Sequence, residues 1–269
     1  MIRVLLLVIV LLAAGCRSSQ ESRLEEVPEF ARVFDEAGVH GAFVLYDQAN
    51  DRYLVHNGAR ADSGFIPAST FKIFNSLVAL EAGAVASEEE VLEWDGVERG
   101  WDAWDQDHSM RSAIRVSAVW FYQELARRIG ETRMQQYLRE VRYGNQTMDG
   151  AIDDFWLSGG LRITPLEQVD FLVRLARNDL PFSDRTMAIV RDILILEEGD
   201  GWVLRGKTGW ANAFTPQVGW FVGYVEREEG TYFFACNVDI VHPGDEDARQ
   251  AVARRILEQQ GLIEPQENR

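Results

Sequence analysis

The strongest periodic pattern in the chain lies between residues 67 and 83. Apolar side chains recur at helical spacing on two faces of this segment: Phe71, Phe74 and Val78 on one, and Ile73, Leu77 and Leu80 on the other. Pro67 stands where a helix begins, and Gly83 stands where it ends. Because a helix that is apolar on two faces is buried, this segment is predicted to run through the centre of the fold.

Apolar runs near both ends of the chain predict strands. These runs cover residues 41–47, 52–56, 202–207, 217–225 and 232–240. Helical patterns cover a short segment at 30–34, then 117–129 and 134–141, segments that begin at Thr164-Pro165 and near Ser183, and a final segment at 247–259. The acidic, tryptophan-rich stretch 88–107 is predicted to be loop with short helical pieces.

Strands at both ends of a chain with helices between them predict an α/β fold of the α+β type. We expect a central antiparallel sheet flanked by N- and C-terminal helices, with an inserted all-helical subdomain. The predicted boundaries place a single domain over residues 29–269, with its sheet part at 29–62 and 199–269 and its helical part at 63–198.

The first residues have the composition of an export signal. Eleven apolar residues at 4–14 follow Arg3 and end at Gly15-Cys16, which is too short a run to span a bilayer as a helix. We predict a signal peptide over residues 1–15, a polar tether over 16–28, and export to the periplasm. Small residues before Cys16 also resemble a bacterial lipoprotein cleavage site, so lipidation of Cys16 as a membrane anchor stays an open alternative to cleavage alone.

The charge balance excludes one class of partner. The 269 residues include 43 acidic and 27 basic side chains, and the resulting net charge of -16 repels the phosphates of nucleic acids. The two cysteines imply no disulfide framework, and Cys236 lies in an apolar run typical of a buried, inert thiol. The four histidines show no metal-ligand spacing, so no metal is expected.

One polar edge of the central helix carries candidate chemistry. Ser69 and Lys72 are three residues apart, so their side chains are neighbours on a helix. Burial can lower a lysine pKa by ~3–5 units, and the neutral amine can then take the serine proton or bind carbon dioxide as a carbamate. Ser-x-x-Lys alone also arises by chance. However, only Lys72 and Lys207 are lysine among the 27 basic residues, and an arginine cannot be deprotonated.

Residues 201–208 match the P-loop pattern of two glycines followed by Lys-Thr. A phosphate-binding loop needs a helix directly after that pair, whereas here a strand-like run is followed by turn residues and another strand. The alternative interpretation is Lys207-Thr208-Gly209 at the end of an exposed strand, where an ammonium, a hydroxyl and a glycine line a groove. Three such residues also occur at ordinary strand ends, but together with Ser69-x-x-Lys72 they are specific.

Two further motifs have ordinary structural explanations when taken alone. Ser117-Ala118-Val119 is typical of a helix cap, and Tyr143-Gly144-Asn145 is typical of a turn. In the order Ser-x-x-Lys, Ser-x-Val, Tyr-Gly-Asn and Lys-Thr-Gly, however, the chain resembles the class D β-lactamases, the oxacillinase family, over about residues 28–260. The resemblance extends to Trp94-Asp95-Gly96, to Trp104 with Asp107, and to residues 155–157, 161–165 and 219–223.

The resemblance implies roles for individual residues. Ser69 would be the nucleophile that opens the β-lactam ring, Lys72 a carbamylated general base, and Ser117 a proton relay. Carbon dioxide or bicarbonate would be needed only to carbamylate the lysine. The other implied residues hold the substrate or line the carbamate pocket: Lys207, Thr208, Gly209, Trp210 and Arg249 for the substrate, the backbone N–H groups of Ser69 and Trp210 for the oxyanion, and Val119, Trp156 and Leu157 for the pocket.

The resemblance also implies what the protein does as a whole. The expected function is hydrolysis of β-lactam antibiotics through a serine acyl-enzyme, which confers antibiotic resistance. The alternatives are a β-lactam sensor or a penicillin-binding protein that stays acylated. The expected partner is a small-molecule β-lactam, and the protein is expected to be a monomer or a homodimer.

Overall fold

The computed structural model describes residues 24–265. These residues contain a seven-stranded sheet. Its strands are β1 (Leu24–Glu26), β2 (Gly41–Asp47), β3 (Arg52–His56), β4 (Ile195–Gly199), β5 (Trp202–Ala211), β6 (Gln217–Arg227) and β7 (Gly230–Ile240). The order across the sheet is β1-β3-β2-β7-β6-β5-β4. The predicted signal peptide, residues 1–15, and the candidate lipidation residue Cys16 lie outside the described residues.

The helices cover both faces of the sheet. They are α1 (Pro28–Ala37), α2 (Gly58–Ala61), α3 (Lys72–Glu81), α4 (Met110–Val116), α5 (Val119–Ile129), α6 (Glu131–Val141), α7 (Pro165–Ala176), α8 (Asp184–Ile193) and α9 (Asp245–Gln259). A 3₁₀ turn, Ala68–Phe71, leads directly into α3. None of these helices, which all lie within residues 24–265, combines the length and the apolar composition needed to span a bilayer.

Two apolar cores join the sheet to its helices. On one face, α1 and α9 pack against the sheet through side chains such as Phe30 and Ile256. On the other face lies a larger core that contains α3 and most of the other helices. Because alternate residues of a strand point to opposite faces, β2 contributes Phe43 to the first core and Val44 to the second.

The predicted fold class is confirmed, and so are the strongest helix signals. The central segment is helical from Ala68 to Glu81. At the start of α7, Thr164 Oγ1 accepts from Glu167 N at 3.0 Å, and the Glu167 carboxylate accepts from Thr164 N at 2.8 Å. This reciprocal capping fixes where α7 begins.

Two edge strands differ from the prediction. Residues 24–26, predicted as part of the tether, form β1, which pairs in parallel with β3 within an otherwise antiparallel sheet. The Glu26 carboxylate holds this strand by accepting from Gly58 N at 2.6 Å. Residues 195–199 form β4, so the sheet part resumes at Ile195 instead of 199. Both strands are short, so their local alternation carries little signal, and β1 also pairs with a strand that is distant in sequence.

Candidate active site

The 3₁₀ turn before α3 presents a serine next to a buried amine. Lys72 is completely buried, and its Nζ lies 2.6 Å from Ser69 Oγ, so the predicted contact between the two side chains is present. Burial is the main cause that holds the pKa of Lys72 well below its usual value, and the positive charge of Lys207 lowers it further. A neutral amine at this distance can accept the serine proton.

The backbone of this turn is strained and is held from two directions. Ala68 has a φ of +47°, in the left-handed region that residues with a Cβ rarely adopt. The Ala68 N–H donates to Trp156 O at 3.0 Å, and Thr70 Oγ1 donates to Pro67 O at 2.7 Å. These contacts hold the position of the serine between them.

Aromatic side chains lie beside the Lys72 amine and beside the residue before it. The Phe71 ring stacks on Trp156 with centroids 5.1 Å apart, and Lys72 Nζ lies 5.5 Å from the centre of the Tyr122 ring. Trp156 is completely buried, and its Nε1 has no hydrogen-bond partner within residues 24–265. Buried indole N–H groups usually find an acceptor, so the pocket holds an unused donor.

Ser117 lies in the connection between α4 and α5, just before the candidate pocket residue Val119. Its φ is +60°, and α5 begins without a side-chain cap, so the alternative interpretation of Ser117 as the cap of that helix is wrong. Trp104 Nε1 donates to Val116 O at 2.9 Å, and Trp120 Nε1 donates to Trp104 O at 2.7 Å. In the sequence Trp104 appears only as part of the resemblance, whereas in the structure it is hydrogen-bonded to residues on both sides of the Ser117 connection.

Strand β5 passes directly beside the nucleophile turn. A Cβ on Gly209 would lie 3.0 Å from Pro67 O and 3.1 Å from Thr70 Cγ2, so glycine allows this close approach. Trp210 follows on the same strand, paired with Gly219 of β6. The glycine of the Lys-Thr-Gly motif therefore brings the strand to the serine.

A buried cation, Lys207, and a half-buried one, Arg249, lie at the same strand. Burial, and secondarily the charge of Arg249, lower the pKa of Lys207 from 10.5 to about 7. Lys207 Nζ donates to Thr208 O at 3.1 Å. Arg249, on α9, has its Nε and Nη1 buried without a hydrogen-bond partner in the part of the chain that the structure describes. Since β5 is continuous over 202–211, residues 201–208 do not form a phosphate-binding loop.

A cavity of about 180 Å³ opens beside this strand, between α4 and the edge formed by β4 and β5. Its lining residues are Ile114, Arg115, Ile193, Leu196, Gly206, Lys207, Thr208 and Gln250. Arg115 and Lys207 make the cavity favourable for an anionic ligand.

Known proteins share both the sequence and the fold. Residues 41–258 match the family described as the penicillin binding protein transpeptidase domain. The chain is 47% identical over 199 residues to the probable β-lactamase YbxI of Bacillus subtilis, which covers 74% of each chain. It is 40% identical over 230 residues to β-lactamase OXA-48 of Klebsiella pneumoniae, which covers 86% of this chain and 87% of OXA-48.

Solved structures give the same result. The class D β-lactamase YbXI from Nostoc aligns with a TM-score of 0.85 at 50% identity, covering 87% of this chain and 99% of that one. The class D β-lactamase FUS-1 (OXA-85) from Fusobacterium nucleatum subsp. polymorphum aligns with a TM-score of 0.87 at 40% identity, covering 89% and 100%. The chain belongs to the class D β-lactamases. The family resemblance predicted from the motifs is therefore confirmed.

In this class D β-lactamase, Asn145 closes a loop and does more than form a turn. Its N–H donates to Arg162 O at 2.9 Å, its Oδ1 accepts from Arg162 N at 3.0 Å, and its Nδ2 donates to Gly160 O at 2.9 Å. The loop that these bonds close carries Trp156 and Leu157, two of the predicted pocket residues. One amide therefore closes the loop that carries these two residues.

The predicted site residues of this class D β-lactamase fall into two groups. Ser69, Lys72 and Trp156 share the pocket at the start of α3, whereas Lys207 and Arg249 lie beside β5. Among residues 24–265, no three histidine, cysteine, aspartate or glutamate side chains are grouped as metal ligands.

Proposed function

We propose that this protein hydrolyses β-lactams through an acyl-enzyme on Ser69, with Lys72 as the general base. The observation that carries the proposal is the completely buried Lys72 amine, 2.6 Å from the serine hydroxyl and with a pKa well below its usual value. A serine needs such a base, and a protonated lysine cannot serve as one. The substrate class is supported by relatives that are named as β-lactamases.

Acylation begins when Lys72 takes the hydroxyl proton and Ser69 Oγ bonds to the carbonyl carbon of the lactam. The negative charge that develops on the carbonyl oxygen is met by the backbone N–H groups of Ser69 and Trp210, and such donors are worth roughly 3–4 kcal/mol each. The ring C–N bond then breaks, and Ser117 relays the proton that Lys72 took from Ser69 to the departing nitrogen.

The substrate carboxylate is assigned to the cations beside β5. Lys207 is buried, and two nitrogens of the half-buried Arg249 are buried without a hydrogen-bond partner among the described residues. The Thr208 hydroxyl lies 3.5 Å from Lys207 Nζ and can donate to the same ligand. Gly209 keeps this binding edge close to the serine.

Lys72 is further proposed to carry a carbamate, formed when its neutral amine bonds to the carbon of CO2 and releases one proton. The buried Trp156 Nε1, which has no partner within residues 24–265, supports this assignment because a carbamate oxygen would supply its acceptor. Carbamylated Lys72 serves as the base in both steps. In deacylation it takes a proton from the water that attacks the ester and returns it to Ser69 Oγ as the ester C–O bond breaks. Val119 and Leu157 limit water at this position.

A burst assay with a chromogenic cephalosporin tests the proposal. The unmodified enzyme is expected to turn over many equivalents. Lys72→Ala is expected to acylate slowly at best and to fail in deacylation, because both steps lose their base. Added bicarbonate is expected to restore activity lost at low pH in the unmodified enzyme but not in Lys72→Ala. A single stoichiometric burst from the unmodified enzyme would instead indicate a sensor or a penicillin-binding protein that stays acylated.

Export and a role in antibiotic resistance are also proposed. They are supported by the apolar run at residues 4–14 and by the β-lactamase family. Cells expressing the full chain are expected to tolerate more β-lactam than cells expressing Ser69→Ala, and equal tolerance would contradict the role. Retention of the full chain in the membrane fraction with release of Cys16→Ser would show a lipid anchor, whereas release of both would show cleavage alone.

A further inference from the structure

A buried chain of hydrogen bonds lies behind the nucleophile turn and has no part in the steps above. Thr70 Oγ1 donates to Pro67 O at 2.7 Å, and Gln168 Nε2 donates to Thr70 Oγ1 at 2.8 Å. Both side chains are completely buried. A hydroxyl carries one proton, which Thr70 gives to Pro67, so the amide of Gln168 must be the donor in the second bond. Both hydrogen bonds therefore donate in the same direction, from α7 towards the turn.

The turn that this chain reaches depends on outside support. Ala68 lies between Pro67 and Ser69 with a φ of +47°, and such a conformation persists only where the surroundings hold it. Thr70 donates two hydrogen bonds to the Pro67 carbonyl, one from its N–H at 3.2 Å and one from its hydroxyl at 2.7 Å. Ser69 lies inside this closed turn. The directions of its hydroxyl and of its N–H therefore depend on the hydrogen bonds that close the turn.

Gln168 donates one hydrogen bond within the described chain, to Thr70. Its side chain also lies beside the buried hydroxyl of Tyr143, where burial raises the pKa and hydrogen bonding with Thr70 and Gln168 lowers it. Gln168 Oε1 has no partner at hydrogen-bond distance in the described chain, although an unmade bond of a buried amide is unfavourable. An apolar side chain of similar size would fill the same space without that penalty. The capping box of Thr164 and Glu167 fixes the first turn of α7, which begins at Pro165, so the Gln168 amide at the end of that turn is held on a rigid support.

We propose that Gln168 is a positioning residue for acylation, which acts through Thr70 to hold the turn that aims the Ser69 hydroxyl and N–H. This role rests on the acyl-enzyme function proposed above, and Gln168 lies outside every motif that carries the family resemblance. Its loss acts on the attack by Ser69 and not on the cations that bind the substrate. The acylation rate constant therefore falls while the dissociation constant of the substrate stays the same.

Pre-steady-state acylation by a chromogenic cephalosporin tests this role. Gln168→Leu removes the donor at similar volume, and we expect the acylation rate constant to fall about 10- to 100-fold, with the substrate Kd within about twofold. Thr70→Val is expected to have the same effect. The double variant should lose no more than either single one, because both act through one chain of bonds. Thr70→Ser keeps the hydroxyl and is expected to recover most of the rate.

Val190→Ala serves as the control for lost stability alone, because Val190 is buried on α8 and takes no part in this chain of bonds. Acylation by Gln168→Leu within about twofold of the unmodified rate would overturn the role. So would a loss no larger than that of Val190→Ala, or additive losses in the double variant. No acyl-enzyme in the unmodified protein would overturn the proposed function itself, whatever the variants do.

Discussion

Lys72 and Lys207 are the two lysines of the chain, and the fold buries both. Their charges are coupled, because Lys207 lowers the pKa of Lys72 and Arg249 lowers that of Lys207. An arginine would stay charged at either position and could not take up a proton or carbon dioxide. The two positions that keep lysine in this arginine-rich chain are therefore positions where a side chain that can lose its proton is needed.

The pKa of Lys207, about 7, predicts how substrate binding depends on pH. Below that pH the ammonium is charged and attracts the substrate carboxylate, and above it the free enzyme loses this charge. We expect kcat/KM to fall as the pH rises above about 7, and Lys207→Arg to flatten this alkaline limb because a guanidinium stays protonated. Bicarbonate is expected to move the alkaline limb to higher pH, since a carbamate on Lys72 adds a negative charge that raises the pKa of Lys207. Identical pH profiles for the variant and the unmodified enzyme would contradict this assignment.

Trp104 is predicted to act on Ser117 through the backbone. Trp104→Phe keeps the ring but removes the N–H that donates to Val116 O, a half-buried hydrogen bond worth about 0.5–1.5 kcal/mol. We expect slower acylation together with a lower Tm. Trp101→Phe is the matched control, because Trp101 is exposed and stacks on Trp104. Equal acylation by the two variants would show that the hydrogen bond does not position Ser117.

At the scale of elements, the site depends on close contact between segments that are distant in sequence. β5 reaches the nucleophile turn because Gly209 has no side chain, and the loop that carries Trp156 is closed by Asn145. Local sequence patterns predicted the long elements, including α7 with its capping box at Thr164. They did not predict β1 or β4, because a short edge strand is defined by its partner and not by its own alternation.

The loop closure predicts a variant with a specific defect. Asn145→Ala removes the bonds that the side chain makes to Arg162 and Gly160, so the wall formed by Trp156 is expected to loosen and to admit water to Lys72. The bicarbonate concentration needed for half-maximal activity should then rise. Asn145→Asp keeps the acceptor for Arg162 N and is expected to show a smaller rise. The measurement is activity against bicarbonate concentration, and an unchanged requirement in both variants would refute the predicted role of the loop.

At the scale of the whole molecule, the buried lysines link stability to pH. The folded pKa of Lys207 is about 7 and that of Lys72 is also lowered, against an ordinary value of 10.5. Between about pH 7 and pH 10 the unfolded chain therefore binds more protons than the folded one, so stability rises with pH. The buried tyrosines Tyr122 and Tyr143 have raised pKa values. They oppose the rise in stability only near pH 10 and above, because their ordinary pKa is 10.0.

Thermal unfolding in CO2-free buffer tests this linkage. The Tm is expected to increase from about pH 7 to about pH 9, and Lys207→Met, which removes the titrating amine, is expected to reduce the slope. A Tm that stays flat or falls in this window would show that the amines remain charged in the fold.

Most of the fold, but only part of the site, could be predicted from the sequence. Ser69 and Lys72 are neighbours on one helix, so their contact follows from spacing alone. The bond from Gln168 to Thr70 joins residues 98 positions apart, and no local pattern signals it. The left-handed backbone at Ala68 and Ser117 likewise depends on the tertiary contacts that hold it.

The neutral Lys72 amine is proposed to bind carbon dioxide as a carbamate beside Ser69. Carbon-13 NMR of the enzyme in labelled bicarbonate measures this most directly. The predicted result is one protein carbamate resonance, absent in Lys72→Ala and lost on acidification in step with activity. Full turnover without any such resonance would contradict the claim.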